Sequence, residues 1–294
     1  MANTLTAHQA TIVGQEALAY LRKNTVMPRL VTNYFGTEAQ TQGSSIKVPK
    51  IGSLSANAKT AGAGVTLQNA TSTNATITLN QHLESTFVIE DFDTAISSGN
   101  LTQYYIASGL SAITEAVDAS ITGLYTGLSQ TVPGTANGTA LTAALVIAAR
   151  KQLSDAKAPR DDRYIVCGTE AYSQLLAIDG FTSAEKYGSA VPVMEGELGK
   201  LYGFKVFESQ SIVTATADQN LAFHKRAFGI AVRPLPITRM GNGIVQQVVT
   251  DPTSGLSVRV TMSYDTNYLG VKTTIDVLYG VAELDDAVAT KLLS

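Results

Sequence analysis

Two apolar runs separated by a helical stretch constrain this chain more than anything else in it. Arg163 to Gly168 reads Arg-Tyr-Ile-Val-Cys-Gly, a short apolar run closed by glycine, and Gly203 to Ser209 sets Phe204 and Val206 at alternate positions before a polar Ser209. Between them Ala171, Tyr172, Leu175 and Leu176 fall at helical spacing. Short runs bounded by Gly or Pro make buried strands, and the period between them marks a helix that covers them. Ala158 to Ser209 therefore predicts a central α/β unit on which the remaining elements are hung.

A long stripe is the next constraint. Ile106, Leu110, Ile113, Val117, Ile121, Leu124 and Leu128 step by three or four residues, which describes one face of a helix about 33 Å long. Ala107, Ser108, Gly109, Ser111 and Ala112 flank the stripe and let another element approach closely. The charged neighbours of a coiled-coil seam are missing, so the stripe predicts a helix lying on a sheet. Leu141, Leu145, Ala148 and Ala149 predict a shorter helix that ends before Pro159.

Past Ser209 the chain reads mostly as strands: 221–223, 228–232, 244–249, 256–262 and 271–281. Leu256, Val258, Val260 and Met262 alternate with polar residues, as do Val271, Thr273, Ile275, Val277 and Tyr279, and the turn at 265–270 predicts that these two strands pair antiparallel. Residues 287–293 read as a short helix or tail.

Residues 1–45 read as an arm. Val13, Ala17, Leu18 and Leu21 form one helical stripe that Pro28 stops, and a single amphipathic helix must dock on its own core or on a neighbour. From Ile46 the period changes. Ile46 and Val48, then Ile77 and Leu79, alternate with polar residues around a Gly/Ala/Ser/Thr-rich stretch, which predicts a long hairpin with a tip too poor in large side chains to pack a core.

Composition narrows the function. With 15% charged residues and a net charge of −3, the chain lacks the basic patch that nucleic-acid readout needs and carries little charge for a freely soluble monomer. Cys167 is the single cysteine, placed at a strand end, which predicts a buried, inert thiol and excludes an intrachain disulfide. No secretory leader or spanning segment is evident, so Asn69-Ala70-Thr71 and Asn74-Ala75-Thr76 are glycosylation patterns without a pathway, and synthesis in the cytosol is expected.

The search for chemistry gives no catalytic, cofactor or metal site. His8, His82 and His224 do not pair at zinc-ligand spacing, and nucleophile-elbow, phosphate-loop and dinucleotide motifs are absent. Asp161-Asp162 and Asp285-Asp286 are adjacent pairs whose carboxylates point apart, so neither is a dyad. His224-Lys225-Arg226 reads as a turn. Lys59 in the hairpin tip could form an isopeptide link only beside a carboxylate in a dry site.

The order of elements carries a resemblance. An arm, a Gly-rich hairpin, an acidic strand, a long helix and an α/β unit entered through Ala158-Pro159-Arg160-Asp161-Asp162-Arg163-Tyr164, with "DDRYIVCG", "AYSQLL" and "GKLYGFKVFES" in that order, resemble the major capsid proteins of tailed bacteriophages with the Hong Kong 97-type coat fold, over nearly the whole chain. The resemblance implies an α+β fold with an N-terminal arm (1–45) and an extended hairpin loop (46–88). It implies a peripheral domain (89–160 and 236–274) with a spine helix at 101–128, and an axial domain (161–235 and 275–294).

What it implies for function is mechanical. Homo-oligomeric hexamers and pentamers would tile an icosahedral shell around double-stranded DNA without reading its sequence, assembled in the host cytoplasm and found in the virion, with no membrane. Some members carry a long N-terminal scaffolding segment, for which this chain shows no room before its arm. A separate scaffolding protein, or none, is therefore expected, with portal and decoration proteins as further partners. Leu18, Leu21, Ile51, Lys59, Val65, Leu67, Tyr187, Val191 and Val193 are the expected subunit-interface residues. Two alternatives stay open: an encapsulin-type bacterial compartment shell, and an α/β enzyme using Asp161, Arg163 and His224.

Overall fold

The structure is a computed structural model, and it describes residues 26–33, 43–52, 54–69, 71–96, 101–178, 199–213, 218–237, 244–251 and 255–294. In chain order the elements are α1 (Met27–Leu30), β1 (Thr32–Asn33), β2 (Ser45–Ile51), β3 (Ser72–Thr78), β4 (Gln81–Glu90), α2 (Asp91–Ile96) and α3 (Leu101–Thr122). There follow α4 (Ala143–Asp155), β5 (Arg163–Cys167), α5 (Thr169–Leu176), β6 (Lys200–Leu201), β7 (Phe204–Glu208) and β8 (Gln219–His224). The last are β9 (Phe228–Arg233), β10 (Val245–Thr250), β11 (Ser257–Asp265), β12 (Gly270–Glu283) and β13 (Ala289–Leu293).

The α/β unit forms where its sequence predicts. β5 is buried at all five positions and pairs parallel with β7 on one side and antiparallel with β8 on the other. The full order of this sheet is β13-β8-β5-β7-β6. Residues 289–293 are thus a strand at its edge and neither helix nor tail. The spacing of Ala289 and Leu292 suits a helix, but their backbone is taken by β8, and Asn220 Nδ2 donates to the Leu292 carbonyl at 3.1 Å.

β12 organises the six-stranded sheet. Along Gly270–Asp276 it pairs antiparallel with both β4 and β11, as the alternating sequences on either side of the turn require. Along Leu278–Glu283 it pairs with β9, which continues on the β11 side. This pairing divides the chain differently from the resemblance. A boundary at 274/275 would cut β12 in two, and one at 235 would put β9 with the wrong sheet. The sheets part instead at two short 3-10 turns, Lys225–Ala227 and Asp286–Val288, and the amides of Leu284 and Asp285 both donate to the Ala227 carbonyl.

α3 lies on the six-stranded sheet, and its stripe is the core: Ile106, Leu110, Ile113, Val117 and Ile121 are each at most 3% exposed. The helix is α-helical to Thr122 and tightens to a 3-10 turn over Gly123–Gly127, with Leu128 buried beyond it. Close approach needs Gly109, where a β-carbon would stand 2.8 Å from Ser85 Oγ of β4. α1 packs into the same core through Met27, Leu30 and Val31, so this part of the arm docks on its own chain. Pro28 sits in the first turn of α1, where its missing N–H costs nothing.

The hairpin β2–β3 stands apart as a two-stranded sheet with Ile46 opposite Ile77. Its root is fixed by a small cluster of Ile46, Ile77 and Ala231, and by a Lys50–Asp285 ion pair at 2.5 Å.

Candidate functional site

The residues that suggested chemistry are spent on structure. Arg163 is 4% exposed, and its guanidinium donates to the carbonyls of Pro159 (2.7 Å) and Ala158 (2.8 Å) and to Ser154 Oγ (3.1 Å). It ties the end of α4 to the entry of β5. His224 pairs opposite Arg163, accepts the Arg226 amide at Nδ1 (3.2 Å), and is held below the usual imidazole range chiefly by burial. Asp162 takes a left-handed turn conformation (φ 52°) and accepts the Tyr164 hydroxyl at 3.2 Å. These groups present no shared reactive position. Cys167 is buried, and burial pushes its thiol far up, so no thiolate forms.

His82 and Asp276 form a second polar group. Asp276 accepts two bonds from Arg259 (3.0 and 2.6 Å) and faces His82 Nε2 at 3.1 Å across paired strands. This is a cross-strand ion pair that pins register. Among the described residues no cluster of three His, Cys, Asp or Glu could hold a metal.

A cleft of about 460 Å³ opens at the ends of the parallel strands β5 and β7, beside the start of α5. Ligands of α/β sheets often bind in such a place. Here Asp218, 9% exposed, occupies it: its Oδ2 lies 2.5 Å from where a β-carbon on Gly168 would stand. Glu170 also lines the cleft, and among the described residues no basic side chain does, so its walls disfavour an anion.

The exposed hairpin is the feature that asks for a partner. Segment 54–69 has no helix or strand and is exposed at every position, with Leu54, Val65 and Leu67 at 64, 70 and 91%. A clasp holds its two legs together: Ser55 N–H donates to Gln68 Oε1 (2.8 Å), Gln68 Nε2 donates back to the Ser55 carbonyl, and Gly52 N–H donates to the Thr71 carbonyl (3.0 Å). Lys59, Val65 and Leu67 thus share one exposed segment, and Ile51 ends the strand leading to it. Lys59 is exposed, so this chain alone supplies no dry site for an isopeptide bond. Leu18, Leu21, Tyr187, Val191 and Val193 lie outside the described residues. Leu54 was missed, although a leucine in so polar a stretch is itself a signal, while the clasp leaves none.

A family model described as phage capsid protein matches residues 30–240. The chain belongs to the phage capsid protein family. The fold of this capsid protein agrees: it is similar to the structure titled Mycobacterium phage Che8 (TM-score 0.67, 19% identity, covering 91% of this chain and 90% of that one). It is also similar to the capsid of cyanophage P-SCSP1u (0.62, 20%, 92% and 88%) and to a virus-like particle from Pyrococcus furiosus (0.56, 8%, 97% and 99%). No curated protein matches the sequence. The capsid protein therefore has the Hong Kong 97-type α+β coat fold and a structural role. No helix among its described residues is long and apolar enough to cross a membrane.

Proposed function

We propose that this capsid protein is the tile of a closed shell. Copies gather into hexameric and pentameric rings, and the rings close into an icosahedral particle around packaged double-stranded DNA. One observation carries the proposal: among the described residues the hairpin's two strands pair only with each other, and its tip holds Leu54, Val65 and Leu67 away from the chain's own core. A lone two-stranded hairpin is marginal in water, and its apolar side chains gain stability only when another surface covers them. A second copy supplies that surface, so Ile51, Lys59, Val65 and Leu67, with Leu54, are assigned to the contact between neighbours. Leu18, Leu21, Tyr187, Val191 and Val193 are kept as candidate contacts on the resemblance alone.

In this proposal the five-stranded sheet with α4 and α5 is the axial part that meets its copies at the ring centre. The six-stranded sheet with α3 is the peripheral part, and the two join at 225–227 and 284–288. A separate scaffold, a portal and decoration proteins are the further partners, and assembly takes place in the host cytoplasm. A net charge of −3 suits a wall to which DNA does not adhere.

Negative-stain microscopy tests the proposal. Closed shells tens of nanometres across are expected, and a stable monomer that turns over a metabolite would overturn it. Protease should cut within 54–69 in free subunits and spare that segment in assembled particles; equal cutting in both would remove the hairpin from the interface. The second reading is the encapsulin-type compartment shell, a tile of the same fold around protein cargo. Nuclease-protected nucleic acid inside native particles decides for the first, and a packaged enzyme for the second.

A further inference from the structure

α3 carries one carboxylate inside its buried surface. Asp118 is 4% exposed and stands one position past Val117 of the core stripe. Its Oδ2 accepts the backbone N–H of Val26 at 3.3 Å, and its Oδ1 is buried without a hydrogen-bond partner among the described residues. An ionised carboxylate is badly served in such a place, because one oxygen has lost water and gained nothing. A neutral carboxyl fits far better.

The surroundings supply a route for water. Ser111, Thr114, Glu115, Glu208, Gln210 and Ser211 line a cavity of about 350 Å³ next to Asp118 and Val26. Thr122 of the same helix donates to the Ser211 carbonyl at 2.8 Å, which fixes the far wall to α3. Among the described residues, Arg29 on α1 is the charge that acts on the carboxyl, while Glu115, one turn earlier on α3, and Glu208, at the end of β7, line the cavity beside it. Only Arg29 favours the ionised form.

We propose that Asp118 is a proton-operated latch: neutral, it holds the segment around Val26 and Met27 against the long helix, and ionised, it releases that segment and draws water from the cavity. The latch uses no contact between copies, so it stands or falls independently of the shell. It gives the fold a means to loosen residues 26–31 without unfolding the rest.

The direction of the pH effect follows from the two environments. Burial raises the carboxyl from 3.8 to about 7 in the docked state, against the opposing N–H bonds of Val26 and Met27 and the charge of Arg29. Released into water it returns to 3.8. Docking is therefore strongest below about pH 4, weakens as pH rises, and levels off above about pH 7. Between about pH 5.5 and 8.5 the release equilibrium shifts on the order of 30-fold.

Hydrogen exchange of the backbone amides of residues 26–31, measured on the full chain and corrected for intrinsic rate, tests this. Wild type should lose about 30-fold of protection between about pH 5.5 and 8.5. Asp118→Asn should keep its protection across that range. Arg29→Gln removes the charge that favours ionisation, so its transition should move to higher pH. Equal wild-type protection at both pH values would overturn the latch, as would an unaltered pH dependence in Asp118→Asn. If Asp118→Asn does not fold, Arg29→Gln decides alone, and a transition left in place overturns the proposal.

Discussion

Replacing Gly280 by alanine tests how the hairpin is seated. A β-carbon there would lie 2.0 Å from the Thr78 carbonyl oxygen, 2.7 Å from its carbon and 3.1 Å from Leu79 Cα. All three are backbone atoms, so no side chain can swing aside. Reaching even 3.0 Å requires the chain at Thr78 to retreat by about 1 Å. That point is where the hairpin's second strand turns into β4, and Gly280 itself is pinned by its pairing with Ala231 of β9.

Overpacking of a closed site costs roughly 1–3 kcal/mol, and rigid partners on both sides put Gly280→Ala at the upper end. Glycine in a strand costs about 0.5–1 kcal/mol relative to alanine, which offsets part of it. The expected net loss is about 2 kcal/mol, read as a lower urea midpoint for the soluble subunit. Gly123→Ala is the control, because a β-carbon there meets nothing within 4 Å. An unchanged midpoint for Gly280→Ala would mean that the hairpin root yields freely, and the seating described here would be wrong.

Other perturbations probe the core and the polar groups. Ile113→Asp puts an unpaired carboxylate in the α3 stripe at a cost of several kcal/mol and should abolish soluble subunits; normal expression and folding would place that stripe in solvent. Arg163→Met removes three hydrogen bonds and orphans two carbonyls at the entry to β5, which should cost roughly 2–4 kcal/mol by thermal unfolding. Asp276→Asn leaves the Arg259 guanidinium without its counter-charge and should cost roughly 3–5 kcal/mol. Adding Arg259→Met should recover part of that loss, and strict additivity of the two would mean the groups are uncoupled.

The elements that could be read from the sequence are those whose burial follows a period. The α3 stripe and the β11–β12 alternation keep a period because one face meets one core, and β5, buried at every position, is legible instead as a short apolar run closed by glycine. β4, Gln81–Glu90, shows no clean alternation in the sequence. Its inner face holds Ser85, a polar residue that is there because Gly109 of α3 presses on it, and that single serine breaks the alternation. β13 was misread because Ala289 and Leu292 sit at helical spacing, and only the distant β8 makes them a strand. The division between the sheets depends on pairings nearly 200 residues apart, such as Gln81 with Tyr279, which leave no local mark. Of the exposed tip, Val65 and Leu67 were legible as apolar residues in a polar stretch, and the Ser55–Gln68 clasp was not, since serine and glutamine occur in any loop.

The place of β12 in chain order sets the timing of the subunit. It pairs with β4, β9 and β11, and all three precede it in the chain. As synthesis proceeds from the N-terminus, β11 can join β10, but it has nothing to connect it to β4 or β9 until Gly270–Glu283 has emerged. The hairpin root likewise waits for Gly280, and Lys50 waits for Asp285. A nascent chain can therefore carry the hairpin long before it has a firm base from which to present it. If the hairpin is the contact between neighbours, as proposed above, competence to bind one arrives only with the last quarter of the chain, and half-made subunits stay out of a growing particle.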